Sequence, residues 1–283
     1  MIKEKELYIS MDGGKLFCKT FGKSGKPLVV LHGGPGLGFN YLLPQMSALG
    51  NFSFAIFYDQ RGTGHSTSTA DWQTNPFETY CDDLNQLRKS FGFEKISLLG
   101  HSFGGVFASM YASVFPQHVD KIIYVNSVPI SSHDYIEFVN HRTSIVNKNK
   151  AELDSIRNTQ AFIKGDPKTV EHYYRIYFKN YFVKPELANT LTLTMTTEAA
   201  INNFKIYDLF FDYIKKHPFN YYEKKLNLPS LILAGAKDVI PLHYMEKLHA
   251  SLPASTYQVI ENCGHFAYID QPEVLFDSVK LFI

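Results

Sequence analysis

The sequence is short of the residues that staple or wire a protein. Its 283 residues hold three cysteines and one tryptophan. Cys18, Cys81 and Cys263 are odd in number and far apart. That spacing fits small buried hydrophobes in a reducing compartment better than a disulfide frame or a zinc site. No run of about 18 apolar residues occurs, so no transmembrane helix is expected. Residues 1–6 begin charged with no apolar stretch behind them, so no signal peptide is expected and the reading is cytoplasmic. Neither charge sign dominates: 28 Lys and Arg face 27 Asp and Glu, a formal charge of +1. Such a balance argues against a nucleic-acid face, and no membrane contact is expected. There is no His-Glu-x-x-His, no Cys-x-x-Cys and no complete G-x-G-x-x-G or G-x-x-x-x-G-K-[ST], so no metal and no nucleotide cofactor is implied. Repeats and low-complexity tracts are also missing.

What is present is an ordinary globular composition, 45% apolar and 19% charged. The length allows one large domain or a core with an insertion. Residues 7–9 and 16–21 read as strands of a hairpin around Asp12-Gly13-Gly14. Short apolar runs at 27–31, 52–58, 96–99 and 122–125 read as buried strands. Helical spacing at 77–91 and 104–115 separates them. Strand, helix, strand in repetition implies parallel strands with crossover helices. From about residue 131 to 225 no strand is read, and 151–164, 170–182 and 199–215 read as helices. This stretch is rich in Phe and Tyr. The rings serve either as the core of a small helical unit or as the wall of an apolar pocket, and the two roles are compatible. After Pro229 the alternation resumes, with strands at 230–234 and 256–260 and helices at 244–252 and 272–282. The expected organisation is a core of residues 1–130 and 226–283, interrupted by a helical cap at 131–225.

Gly100-His101-Ser102-Phe103-Gly104 matches G-x-S-x-G between a strand and a helix. Such a tight turn exposes the serine, and glycines on either side let its two arms approach. A serine hydroxyl needs a base and a group that orients the base. Asp238 and His265 each follow a late strand, in the order serine, acid, histidine, and are the candidates. Attack on a carbonyl also needs waiting N–H donors. Those of Phe103 and of Gly34, in His32-Gly33-Gly34-Pro35-Gly36, are expected to supply them. Gly33 lies where the backbone would pass the substrate, and Pro35 has no N–H to offer. Asp59-Gln60-Arg61-Gly62-Thr63-Gly64-His65-Ser66 reads as a structural loop beside the pocket, with His32, His65 and His101 as loop braces.

Together these three motifs resemble the α/β-hydrolase superfamily, and within it the proline iminopeptidase (prolyl aminopeptidase) branch. The likeness covers about residues 7–128 and 229–282. It implies an α/β-hydrolase fold, a mostly parallel eight-stranded sheet flanked by helices with a helical cap. It also implies a cytosolic serine hydrolase that releases an N-terminal residue, often proline, from a short peptide or amide. In that branch acidic residues hold the substrate's free amine, one of them directly after the triad aspartate. Here that position is Val239, a departure from the pattern. Glu198 matches the cap glutamate, and Glu223 is a second candidate. The expected activity is therefore an aminopeptidase or amidase working through an acyl-enzyme on a small molecule or short peptide, without a cofactor. The alternatives are an esterase, lactonase or carbon–carbon bond hydrolase of small apolar substrates, and a ligand-sensing protein on the same fold.

Overall fold

The Asp12-Gly13 turn closes a hairpin of β1 (Glu4–Met11) and β2 (Gly14–Phe21), paired antiparallel with Met11 opposite Gly14. The computed structural model describes residues 2–68, 73–224 and 226–283. After the hairpin come β3 (Pro27–Leu31), β4 (Phe54–Tyr58) and a two-residue β5 (Thr67–Ser68) that pairs with β2. Then follow α1 (Pro76–Ser90), β6 (Ile96–His101), α2 (Gly104–Val114) and β7 (Val119–Val125). The sheet has nine strands where eight were expected. The additional one is β5, too short to leave a readable period.

Beyond a long excursion the chain returns through β8 (Ser230–Gly235), α8 (Leu242–Ser251), β9 (Ser255–Ile260), α9 (Ala267–Asp270) and α10 (Pro272–Phe282). The sheet order is β1-β2-β4-β3-β6-β7-β8-β9. β2 meets β4 antiparallel, and from β4 to β9 every pairing is parallel. Helices cover both faces of a parallel sheet, so its inner strands must be apolar on both sides. Accordingly β6 and β8 are buried at every position, while edge strand β1 alternates. Parallel register also sets the carboxyl ends of these strands along one edge. Leu31 pairs with Gly100, His101 with Val125 and Gly235 with Ile260. The segments after β3, β6, β8 and β9 therefore emerge as neighbours, which is where open α/β sheets bind ligands.

Between β7 and β8 the chain runs through α3 (Ser132–Val146), α4 (Lys150–Arg157), α5 (Gln160–Ile163), α6 (Pro167–Tyr177) and α7 (Thr197–Lys216). The sequence pattern joined 151–164 into one helix. The structure breaks it, because Thr159 starts a new one by accepting the Phe162 N–H (3.1 Å). α6 begins before residue 170, since Asp166 accepts the Thr169 N–H (2.9 Å) and Pro167 fits the first helical position. It ends at Tyr177 and gives way to a 3₁₀ turn, Phe178–Tyr181, instead of running to 182. Few residues of α3, among them Tyr135, Phe138 and Val139, are buried. Residue 225, the expected end of the excursion, lies outside the described residues.

The excursion leaves and re-enters the core at a hydrogen-bonded neck. Ser131 bridges Asn220, Ser132 N–H donates to the Phe219 carbonyl (2.9 Å) and Tyr221 N–H to that of Ile130 (3.0 Å). A second anchor is Phe210 of α7, fully buried with its ring 5.2 Å from Phe77, 5.0 Å from Tyr80 and 5.5 Å from Phe107. No described helix is long and apolar enough to cross a membrane.

The loop after β3 turns on His32, which is fully buried. Its Nδ1 donates to the Gly33 carbonyl (2.8 Å) and its Nε2 accepts the Gln60 N–H (3.1 Å). A proton on Nε2 would confront that donor. Burial pushes the imidazole from 6.5 down to about 4. A base with a depressed pKa stabilises the fold above its unfolded value and loses that contribution as pH falls through the folded value. A shift of this size corresponds to about 3 kcal/mol, lost between pH 6.5 and 4. Urea unfolding of the wild type should therefore weaken toward acid more steeply than that of His32→Gln, by up to one proton's worth of slope. Parallel curves for the two proteins would refute the assignment.

Candidate active site

Ser102 follows β6 in a tight turn. Its φ is +57°, a left-handed conformation that costs a non-glycine residue roughly 1–2 kcal/mol. The turn is held by Ser102 N–H to the Val125 carbonyl (3.2 Å) and by the N–H groups of Gly105 and Val128 to the Ser102 carbonyl (3.1 and 3.2 Å). A Cβ on Gly104 would lie 2.1 Å from the Leu31 carbonyl oxygen, so α2 can start against β3 only with glycine there. Strain concentrated at a functional turn is the pattern expected of a nucleophile elbow.

Asp238 follows β8 and His265 follows β9. The structure brings them together: His265 Nδ1 donates to Asp238 at 3.0 Å (Oδ1) and 3.1 Å (Oδ2), and both side chains are buried. Asp238 also accepts the Ile240 N–H (3.2 Å). With Nδ1 committed, Nε2 is the free acceptor of the ring. Ser102 and His265 line the same cavity of about 560 Å³. Ser102 Oγ makes no hydrogen bond among the described residues, so its contact with Nε2 is not closed in this structure; such bonds often tighten only around substrate.

The N–H groups of Gly34 and Phe103 likewise carry no hydrogen bond among the described residues. Gly34 has φ +126° and lines the cavity; Phe103 precedes the first residue of α2. A helix start favours negative charge. Gly33 is different, because its N–H is already bound by Tyr41 Oη (2.7 Å) and its position is outside the lining.

Tyr41 was not a sequence candidate. Its hydroxyl accepts the Gly33 N–H and donates to His101 Nδ1 (2.8 Å), while His101 Nε2 donates to the His265 carbonyl (3.0 Å). His101 is thus a brace, as its loop position suggested, and burial followed by the nearness of His265 holds its pKa well below 6.5. Asn126, at φ +47°, was also missed. It donates to the Gly264 carbonyl (2.5 Å) and accepts the Gly235 N–H (3.3 Å), tying β8 to the His265 segment. The only signal available was an Asn just after a strand, a residue that tolerates left-handed backbone. His265 N–H in turn donates to the Tyr181 carbonyl (2.7 Å), from the excursion.

The loop from Asp59 to Ser66 proves structural. Asp59 accepts the N–H groups of Phe39 (2.9 Å) and His65 (2.8 Å), and burial raises its carboxyl to about 7. Arg61 forms a two-pronged pair with Asp83 of α1 (3.0 and 2.6 Å). Burial pushes the Cys18 and Cys81 thiols up to about 12, so neither is a nucleophile at neutral pH.

Glu198 stands exposed in the first turn of α7, where an acidic group suits the helix start, and it does not line the cavity. Glu223 is exposed and accepts from Asn220 (2.8 Å). The carboxylates that do line the cavity are Asp154 and Asp208, and the cations are Arg142, Lys150 and Arg157. Asp154 pairs with Lys150. Elsewhere, His133, Asp134 and Glu137 bring ligand atoms within 4.8 Å of one another, but Asp134 is taken by Lys247 (2.6 Å), so an ammonium already sits there.

The proline iminopeptidase of Saccharolobus solfataricus is 26% identical over 297 aligned positions, spanning 100% of this chain and 93% of that protein. The solved 2-hydroxy-6-oxo-6-phenylhexa-2,4-dienoate hydrolase of Rhodococcus sp. strain RHA1 matches with a TM-score of 0.74 at 17% identity, over 100% of this chain and 99% of that one. A proline iminopeptidase structure from Mycobacterium smegmatis matches at 0.71 and 18% identity, over 98% and 97%. These two likenesses speak to fold. Residues 26–272 match the family model described as alpha/beta hydrolase fold, and the chain belongs to that family.

Proposed function

We propose that the protein is a serine hydrolase that cleaves an amide or ester bond of a small substrate through an acyl-enzyme. The observation that carries this reading is the buried Asp238–His265 pair sharing a cavity with the strained, unpaired Ser102. His265 Nε2 takes the Ser102 proton as Oγ bonds to the carbonyl carbon. The N–H groups of Gly34 and Phe103 receive the oxyanion. The imidazolium, steadied by Asp238, then protonates the leaving group as its bond breaks. Water, deprotonated by His265, releases the acid and restores Ser102. Residues 131–225 act as the cap that forms the cavity's other wall and limits water.

Aminopeptidase specificity is supported by the proline iminopeptidase relatives. The ester or lactone reading is favoured by Val239, buried where an amine anchor would stand, and by Glu198 and Glu223 lying outside the cavity. Within the first reading Asp208 is the carboxylate left to meet an ammonium. The three cysteines, free and buried, support a reducing compartment.

Ser102→Ala is expected to lower turnover by about 10⁴-fold or more and to abolish labelling by a fluorophosphonate that marks the wild type. Full activity in that variant would overturn the mechanism. Paired chromogenic amides and esters with free and blocked amines decide between the two specificities: loss of turnover on blocking assigns an aminopeptidase, indifference an esterase.

Tyr41→Phe leaves the Gly33 N–H and His101 Nδ1 without partners in a buried place. It should destabilise the protein by about 1–3 kcal/mol in urea unfolding. By loosening the serine turn it should also lower kcat by roughly tenfold to a hundredfold with little change in KM. An unchanged kcat would show that the chain of hydrogen bonds does not position the site.

A further inference from the structure

The cavity contains a cation, Arg142, that makes no ion pair among the described residues. Arg142, on α3, is half-buried and lines the same cavity as Ser102 and His265. Among the described residues no carboxylate lies within 4.0 Å of its guanidinium; Asp154 is taken by Lys150, and Asp208 is exposed. Among the described residues its one hydrogen bond is from Nη2 to Tyr207 Oη (2.6 Å). The rings of Tyr207 and Phe138 flank it at 5.5 and 5.7 Å. Its charge is felt by the phenols of Tyr135 and Tyr181, which burial keeps well above their usual range and therefore neutral. Phenols satisfy donors without cancelling charge. Tyr181 in turn stands 5.3 Å, ring to ring, from His265.

A guanidinium keeps its charge at any ordinary pH, and holding it partly out of water without a counterion is costly. Its planar fork suits a carboxylate, with two parallel N–H···O bonds. The other cavity cations do not answer the description. Lys150 already has Asp154, and Arg157 is exposed, over the Phe204 ring at 5.7 Å. We propose that Arg142 is a specificity-determining residue that binds a carboxylate of the substrate, so that the hydrolase takes small acyl compounds bearing a free acid group. This deepens the hydrolase reading and rests on it. A short peptide with a free carboxyl end and a half-ester of a dicarboxylic acid both meet the requirement.

Two matched pairs of esters test it on the full-length protein. Mono-p-nitrophenyl glutarate against p-nitrophenyl butyrate puts the charge on the acyl side. 4-Acetoxybenzoate against its methyl ester puts it on the leaving side. In at least one pair the wild type should favour the charged ester at least tenfold in kcat/KM. In Arg142→Gln the charged-to-neutral ratio should fall at least tenfold, and Arg142→Met serves should the glutamine variant not fold. No preference in either pair, or an unchanged ratio in the variant, overturns the proposal. Hydrolysis that persists in Ser102→Ala, or no turnover of any of these esters or of the free-amine chromogenic amides, would instead overturn the hydrolase reading. The carboxylate site is then judged by binding alone: calorimetric titration with phenylacetate should show affinity at least fivefold weaker in Arg142→Gln, and equal affinities would refute it.

Discussion

An uncharged imidazole is the constraint on which this site rests. His101 Nδ1 accepts a hydrogen bond from the Tyr41 hydroxyl, and its Nε2–H donates to the His265 carbonyl. Tyr41 in turn holds the Gly33 N–H, and Tyr268 Oη donates to the Tyr41 carbonyl (2.8 Å). Segments after β3, β6 and β9 are thereby fixed to one another without any of the reacting groups taking part. The arrangement works only with a ring that is both donor and acceptor, which neutral histidine is and a charged one is not. Burial supplies the bias toward neutrality, and the same logic repeats one loop away at His32.

The aromatic wealth of the excursion divides cleanly between two jobs. Phe210 is packing: it is buried among Phe77, Tyr80, Phe103 and Phe107 and holds α7 on the core. Tyr177, Tyr181 and Tyr207 face the cavity and carry hydroxyls that can orient a polar ligand. Phe182 stacks at 4.6 Å on Phe266, the neighbour of His265, so the same stretch also backs the site. Composition alone could not separate these roles, since a ring in a small helical layer is apolar surface in either case.

Much of this was legible beforehand, and for physical reasons. Buried parallel strands have to be continuous apolar runs, so 27–31, 96–99 and 230–234 stood out. G-x-S-x-G followed by late-strand Asp238 and His265 named the central residues, because a sharp strand-to-helix turn tolerates few other sequences. Short helices were read less well. α4 and α5 are parted by a threonine cap, and β5 is two residues long; neither leaves a period to detect. Glu198, taken from the family resemblance, stands at a helix start outside the cavity lining, a placement that depends on how the excursion folds. Arg142, Tyr41 and Asn126 were invisible because their meaning lies in partners up to 227 positions away, as with Tyr41 and Tyr268.

The bond between the His265 amide and the Tyr181 carbonyl has one more consequence. The roof of the chamber and the proposed base, His265, share a main-chain fastening. A swing of the roof wide enough to admit a bulky guest would pull on the very strand of backbone that aims the base. Room for a guest and the aim of the His265 ring are thus tied through one main-chain bond.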